Sequence, residues 1–393
     1  MTSCRWAPGL LAMYGFALAA DQSKLGDGNA RAVQIAAGSP IIQQARANLR
    51  SQLTRIQDGK LRTNTTSILV DPEVCVVSKS GLTLLKKESI LRKLLSEALL
   101  APLIDERMMS GVFPPLRDET SDCPKPPQPY GSAPGSAFGG HHSHPGGLAV
   151  HAFFNLTNAL SLAQGYRKVY GPDVFISEDL MIAAPIWHDW AKTMVFQWNA
   201  DGTEFAEYNF GGNGRTDAWG EPGDSRTGAH HILGLAEIMK RGLPAEFLVT
   251  VASAHAAPAS GNEYKVVNWI RTAAVVAGVD AVSAGYLGKD PQGRLRLPAV
   301  RGWNEPGQLL VEYMLHNLSD ADFVWTGPAA SMVDQTLKKL AGKFGFDAGN
   351  VAQFNNEFRN PMLAHLTAER LLILQGNSGM EAVAAEVAKT LGR

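Results

Sequence analysis

Eight of the ten histidines in this 393-residue chain fall between positions 141 and 255. They sit in HHSHPGGLAVH (141–151), IWHDWAK (186–192), GAHHILG (228–234) and VASAH (251–255), and GVDAVSAGY (278–286) follows. Imidazoles and carboxylates gathered in this way suit a divalent transition ion. His188 and Asp189 close an apolar run, DLMIAAPIW, where an ionised carboxylate is costly unless it is paired. Lys192 lies four residues after His188, on the same helical face. Asp280 is the one charged residue between Arg271 and Lys289. The surrounding Ala, Val and Gly read as a helix apolar on nearly all sides, hence a core helix. Its carboxylate then needs a cation or a strong donor. A metal held with imidazoles would satisfy Asp189 and Asp280 together.

These side chains need helices to carry them. His151 lies on a helix starting near Leu148, while His231 and His255 belong to separate helical segments, the last opening at Pro244. Four to five helices each delivering one or two N/O ligands is how metal sites in helical bundles are built. A set without cysteine suits Fe, Mn, Co, Ni or Zn. A single histidine on an apolar helix is ordinarily a satisfied core residue. The adjacent His-Asp pair and the order His, His-Asp, His, His, Asp set this group apart.

Helical spacing appears at 31–57 and at 81–110, where Leu82, Leu84, Leu85, Ile90, Leu91, Leu94, Leu95 and Leu99 recur. The Pro/Gly/Ser-dense stretch 118–140 reads as a linker or arm. Residues 145–325 are mostly helical, except for a hairpin predicted at 194–210 and a glycine-rich loop at 211–228. Further helices fill 330–393. The fold class is all-α with a small β-hairpin insertion and extra flanking helices.

Lys and Arg number 36 against 37 Asp and Glu, and this balance excludes binding of a nucleic-acid duplex through a basic excess. Residues 1–20, with Arg5, an apolar stretch and Ala17-Leu18-Ala19, read as a secretory signal peptide, which points to an exported, periplasmic protein, or as a short buried helix. No other segment is long and apolar enough to span a bilayer. Cys75 and Cys123 are a disulfide or two buried thiols. Asn64, Asn155 and Asn317 each head an N-x-S/T triplet.

The segments resemble the HD-domain superfamily of metal-dependent phosphohydrolases. HHSHPGGLAVH is similar to HH-x-x-x-GG-L-x-x-H, HDWAK to HD-x-x-K, and GAHHILG to GH-x-x-x-G. VASAH and GVDAVSA are similar to the later His and closing Asp segments. The chain departs from the pattern at Trp190-Ala191 and at His255-Ala256. The resemblance covers about 140–290 and implies an HD domain over 131–328, between an N-terminal region at 21–130 and C-terminal helices at 329–393. It implies His151, His188, Asp189, His231, His255 and Asp280 as ligands of two divalent transition metals, with Asp189 bridging. The implied reaction is hydrolysis of a small anionic phosphomonoester or phosphodiester by a metal-bound hydroxide. Lys192 would be the electrostatic helper on the phosphate. Arg215 and Arg226 read as a substrate clamp on the glycine-rich loop, or as a solvated surface. Asn155, His141, His142 and His144 are candidates to support ligands or touch substrate, or are ordinary surface and loop residues. The same ligand set also fits a di-iron oxygenase or a non-catalytic metal-binding sensor.

Overall fold

The computed structural model describes residues 26–76, 82–102, 107–116, 121–259 and 261–393. The signal-peptide reading of 1–20 lies outside the described residues. The chain is mostly helical, in line with the all-α expectation. The N-terminal helices are α1 (Asn29–Gly38), α2 (Pro40–Leu53), α3 (Gly59–Val70), α4 (Leu84–Ser96) and α5 (Met108–Val112). The central ones are α6 (Gly147–Tyr170), α7 (Glu178–Trp187), α8 (Lys192–Val195), α9 (Ala229–Lys240), α10 (Ala245–Ala252), α11 (Glu263–Ala277) and α12 (Val311–Ser319). The chain ends in α13 (Phe323–Ala341), α14 (Val351–Gln353), a π-helical turn at Phe354–Arg359, α15 (Asn360–Leu366) and α16 (Ala368–Thr390). Two antiparallel ribbons, β1 (Asn209–Phe210) with β2 (Thr227–Gly228) and β3 (Gly288–Lys289) with β4 (Leu295–Arg296), are the strands among the described residues.

Sequence pattern explains the helices that carry the site. On α6, Leu148, His151, Ala152, Asn155, Leu156, Ala159 and Ala163 are buried at the three- and four-residue spacing of one helical face. The Ser177 side chain caps α7 by accepting from Leu180 N–H, and Glu178 and Asp179 fill its first turn, where the helix dipole favours acids. From Leu180 to Trp187 every side chain is buried, so α7 is a central rod. Trp187, Trp190 and Phe247 pack there with edge-on or tilted rings. Helices α2 and α3 share this core through Leu49, Leu53, Leu61 and Ile68.

Two expectations are corrected. No hairpin forms over 194–210, because both prospective arms pair elsewhere. Trp198 donates its backbone N–H to Asn29 Oδ1 and accepts from Gly28 N–H at the start of α1, and the Phe205 carbonyl accepts from Phe138. Phe196, Trp198 and Phe205 bury together against Ala32 instead. The stretch 118–140 is not a free arm in its later half: Tyr130 is buried and donates its hydroxyl to the Ile186 carbonyl at 3.1 Å. Helix α13 runs through residue 328. The C-terminal residues beyond Ala330 do gather a core of their own around Leu337, Phe358, Leu363 and Leu371.

Cys75 and Cys123 are joined in a disulfide, which ties the segment after α3 to the start of the Pro-rich stretch. Beside it the buried Glu237 carboxylate accepts from Cys75 N–H at 2.9 Å and Val76 N–H at 2.8 Å and pairs with Arg241 at 2.7 Å.

Candidate metal centre

The centre forms where α6, α7 and the end of α12 meet, and α9 and the end of α10 close its second side. His188 ends α7, and its Nδ1 lies 3.0 Å from the Pro185 carbonyl, which keeps a proton on Nδ1 and turns Nε2 inward. Nε2 of His151 lies 3.2 Å away. The Oδ2 of Asp189 is 3.3 Å from each of these nitrogens. Asp320 Oδ1 is 3.0 Å from His151 Nε2 and 3.2 Å from His188 Nε2. On the other side, Asp189 Oδ1 lies 3.1 Å from His230 Nε2 and 3.9 Å from His255 Nε2. One carboxylate therefore faces two groups of imidazoles, one with each oxygen.

Buried neighbours hold these side chains in place. Asn155 donates from Nδ2 to Asp320 Oδ1 at 3.0 Å, and Ser319 donates to Asn155 Oδ1 at 2.5 Å. Glu207 accepts from His230 Nδ1 at 2.7 Å, which turns Nε2 of that ring toward Asp189. Lys192 is buried, with Nζ held by Asp189 Oδ2 at 2.5 Å and by the Gly135 carbonyl. His316, on α12, sets its ring edge-on to His188 with centroids 5.3 Å apart.

The electrostatics follow from this crowding. Burial works against charge on His151, yet hydrogen bonds with Asp189 and Asp320 outweigh it and carry the imidazole up to about 9. His188 meets the same burial penalty, overcome by the charges of Asp189 and Asp320, and rises to about 10. Burial alone would raise both carboxylates. His188 leads the opposing interactions, and both end well below the usual carboxylate range. Burial, reinforced by the His188 charge, takes His316 down to about 3.

The donor set fits metal ions. Two nitrogen ligands on one tetrahedral zinc-like ion stand about 3.3 Å apart, given metal–nitrogen bonds of about 2.05 Å. The 3.2 Å between His151 and His188 nitrogens matches that spacing. Asp189 Oδ1 and His230 Nε2 are buried without a hydrogen-bond partner among the described residues. At this centre two groups have ligand-capable atoms mutually within 4.8 Å, His151–His188–Asp189 and Asp189–His230–His255.

The structure thus brings together His151, His188, Asp189, His255 and Lys192. Asp280 lies elsewhere. Gly278 takes a left-handed backbone (φ 67°) and ends α11, so Asp280 falls in the following turn. There it is exposed and accepts from the backbone N–H groups of Val282 and Ser283. Asp320 stands where Asp280 was expected. Its sequence signal was the four-residue spacing of Glu312, His316 and Asp320 in VEYMLHNLSD, and all three are buried.

His231 is also displaced from the expected position, because neighbours on a helix point about 100° apart. His231 stacks on His255 at 4.2 Å and meets Trp269 edge-on, and its neighbour His230 reaches Asp189. Arg215 is exposed on the glycine-rich loop, and Arg226, also exposed, pairs with Asp224 at 2.7 Å. That loop still reaches the centre through Thr227, whose Oγ1 is 3.3 Å from His255 Nδ1.

No known family profile and no solved structure matches the chain. A stretch of 115 residues is 32% identical to dihydroneopterin 2',3'-cyclic phosphate phosphodiesterase of Methanocaldococcus jannaschii. The match covers 29% of this chain and 39% of that relative. Fold and site together define an all-α protein with a buried His/Asp cluster suited to divalent metals. The particular protein it is similar to over that stretch is a phosphodiesterase.

Proposed function

We propose that this chain is a metal-dependent phosphoester hydrolase of HD-domain type, with a binuclear centre, acting on a small anionic phosphodiester or phosphomonoester. The observation that carries the reading is the Asp189 carboxylate, with Oδ2 facing His151 and His188 and Oδ1 facing His230 and His255. His151, His188, Asp189 and Asp320 would hold one ion, and Asp189, His230 and His255 the other. When bound, two such ions supply Lewis acidity toward a phosphoryl oxygen and a water. The similarity to a cyclic-phosphate phosphodiesterase supports phosphoester chemistry and makes cyclic phosphodiesters the first substrates to test.

The chain's own groups do the positioning. Lys192 offsets the Asp189 charge and holds that carboxylate between the two imidazole groups. Asn155 and Glu207 fix the orientation of Asp320 and His230. His255 has a side chain 24% exposed, far more open than the other ligands, and marks the side from which substrate enters. The Cys75–Cys123 disulfide supports an exported location, since such bonds persist in oxidising compartments.

The test is metal content by mass spectrometry together with release of nitrophenol from an aryl phosphodiester in Mn, Ni, Co or Fe. Hydrolysis that disappears in Asp189→Ala is expected. Hydrolysis surviving that change, or iron-dependent oxygen consumption in place of hydrolysis, would overturn the reading.

A further inference from the structure

A second cluster of unsatisfied groups lies on the far face of the His151 ring, outside the centre. Ligand-capable atoms of His141, His142, His151 and Asp322 all lie within 4.8 Å of one another. Asp322 Oδ2 is 3.2 Å from His142 Nε2, and its Oδ1 is 3.7 Å from His151 Nδ1. Glu369, in the first turn of α16, places Oε1 3.8 Å from His142 Nδ1. Those separations of 3.7 and 3.8 Å are too long for hydrogen bonds. Five buried polar atoms there have no hydrogen-bond partner among the described residues: Nδ1 of His141, His142 and His151, Asp322 Oδ1 and Glu369 Oε1. Buried polar groups are nearly always satisfied, so five left open in one place point to a shared ligand.

The backbone is built to present this group. His142 has a left-handed conformation (φ 51°), uncommon for a residue with a side chain, and its carbonyl is pinned by the N–H groups of Gly135 and His144, both at 2.9 Å. Held strain of this kind is a feature of functional sites. His142 is itself 6% exposed, so its free Nδ1 points into protein rather than water.

We propose that His141, His142 and Asp322 form a further site for a divalent transition ion, with Glu369 behind it at the Nδ1 edge of the His142 ring. Two imidazoles and a carboxylate make a donor set of the zinc and manganese type. His151 stands between this site and the centre. Its Nε2 faces the centre, and its Nδ1–H is aimed at Asp322, which tightens onto it when an ion draws the carboxylate in. The inference rests on this cluster's geometry and holds whether or not the centre hydrolyses phosphoesters.

Zinc alone is the probe, with bound equivalents counted after gel filtration and ions located by anomalous diffraction from crystals grown with Zn²⁺. The full chain is expected to bind three equivalents, and Glu369→Gln combined with His142→Ala two. In the Asp189→Ala background, one equivalent should remain and be lost on adding His142→Ala. Failure of the centre alone would thus still leave one ion sensitive to His142. An unchanged zinc count in the His142/Glu369 variant, or an anomalous map of the unaltered protein without a peak between His142 and Asp322, would overturn the proposal.

Discussion

Glu207 grips His230 twice, accepting its backbone N–H at 2.9 Å and its Nδ1 at 2.7 Å. The double contact fixes both where the ring starts and how it is turned. A carboxylate behind a histidine ligand sets its tautomer and raises its basicity. Loss of that contact is expected to weaken metal binding about 10–100-fold. Glu207→Gln should therefore lower metal affinity in a chelator competition while the protein stays folded by circular dichroism. His230→Ala should remove one equivalent outright. His231→Ala should keep the full metal count, since that ring stacks on His255 instead of facing Asp189. Metal lost in His231→Ala and retained in His230→Ala would reverse the assignment.

Asp320 and Asp280 make a second pair of opposites. Asp320 faces two histidine nitrogens at 3.0 and 3.2 Å and is held by Asn155. Asp280 is spent on two backbone N–H groups in an exposed turn. Asp320→Ala is expected to remove the ion held by His151 and His188, lowering the count by one equivalent through desalting, and Asn155→Ala to weaken that ion's retention. Asp280→Ala should leave metal content and activity at the level of the unaltered protein. The measurement is metal per chain across the three variants under one buffer.

These two corrections mark how far sequence reading reached. The adjacent His188-Asp189 pair was legible because a charge at the end of an apolar run must be paired or bound to a cation. His151 was legible from its place on one helical face. The closing aspartate was not legible, because an apolar neighbourhood along the chain is not burial in space. Gly278 stops the helix two residues before Asp280, and the chain turns outward. Adjacent histidines at 230 and 231 differ by a rotation about the helix axis, which only the packing of α9 against α11 and its other neighbours resolves. The hairpin expectation failed similarly, since the alternating aromatics Phe196, Trp198 and Phe205 found partners near α1, far off in sequence. The all-α fold itself rested on local periodicity and was legible.

The disulfide and Glu237 brace the same corner, so their loss should be felt in stability more than in chemistry. Cys75 and Cys123 close a loop with a sequence separation of 48. The chain-entropy relation assigns such a loop about 4 kcal/mol. Reduction, or Cys75→Ala with Cys123→Ala, is expected to lower the denaturation midpoint by a corresponding amount. Glu237→Ala should cost about 3–5 kcal/mol, because Arg241 and two buried N–H groups lose their shared acceptor. Urea titrations of the variants, with metal content measured in parallel, check both. A large loss of metal at unchanged stability would show that this corner acts on the centre directly.

Gly147 opens α6 directly beneath the His142 loop. A Cβ there would land on the His142 carbonyl oxygen, a backbone atom that cannot swing away as a side chain would. That carbonyl already accepts from Gly135 and His144, so the loop has little room to retreat. Gly147→Ala must therefore shift either the first turn of α6, which carries His151 one turn later, or the loop holding His141 and His142. Helix propensity alone would favour alanine by about 1 kcal/mol. Overpacking opposes that gain with about 1–3 kcal/mol and is expected to prevail. The expected outcome is a lower midpoint in thermal unfolding and weakened metal retention, with Gly165→Ala as the control. Gly165 lies on the same helix, where a Cβ meets nothing within 4 Å, and its replacement should stabilise or be neutral. Equal behaviour of the two variants would show that the His142 loop yields freely and does not hold the ligands in place.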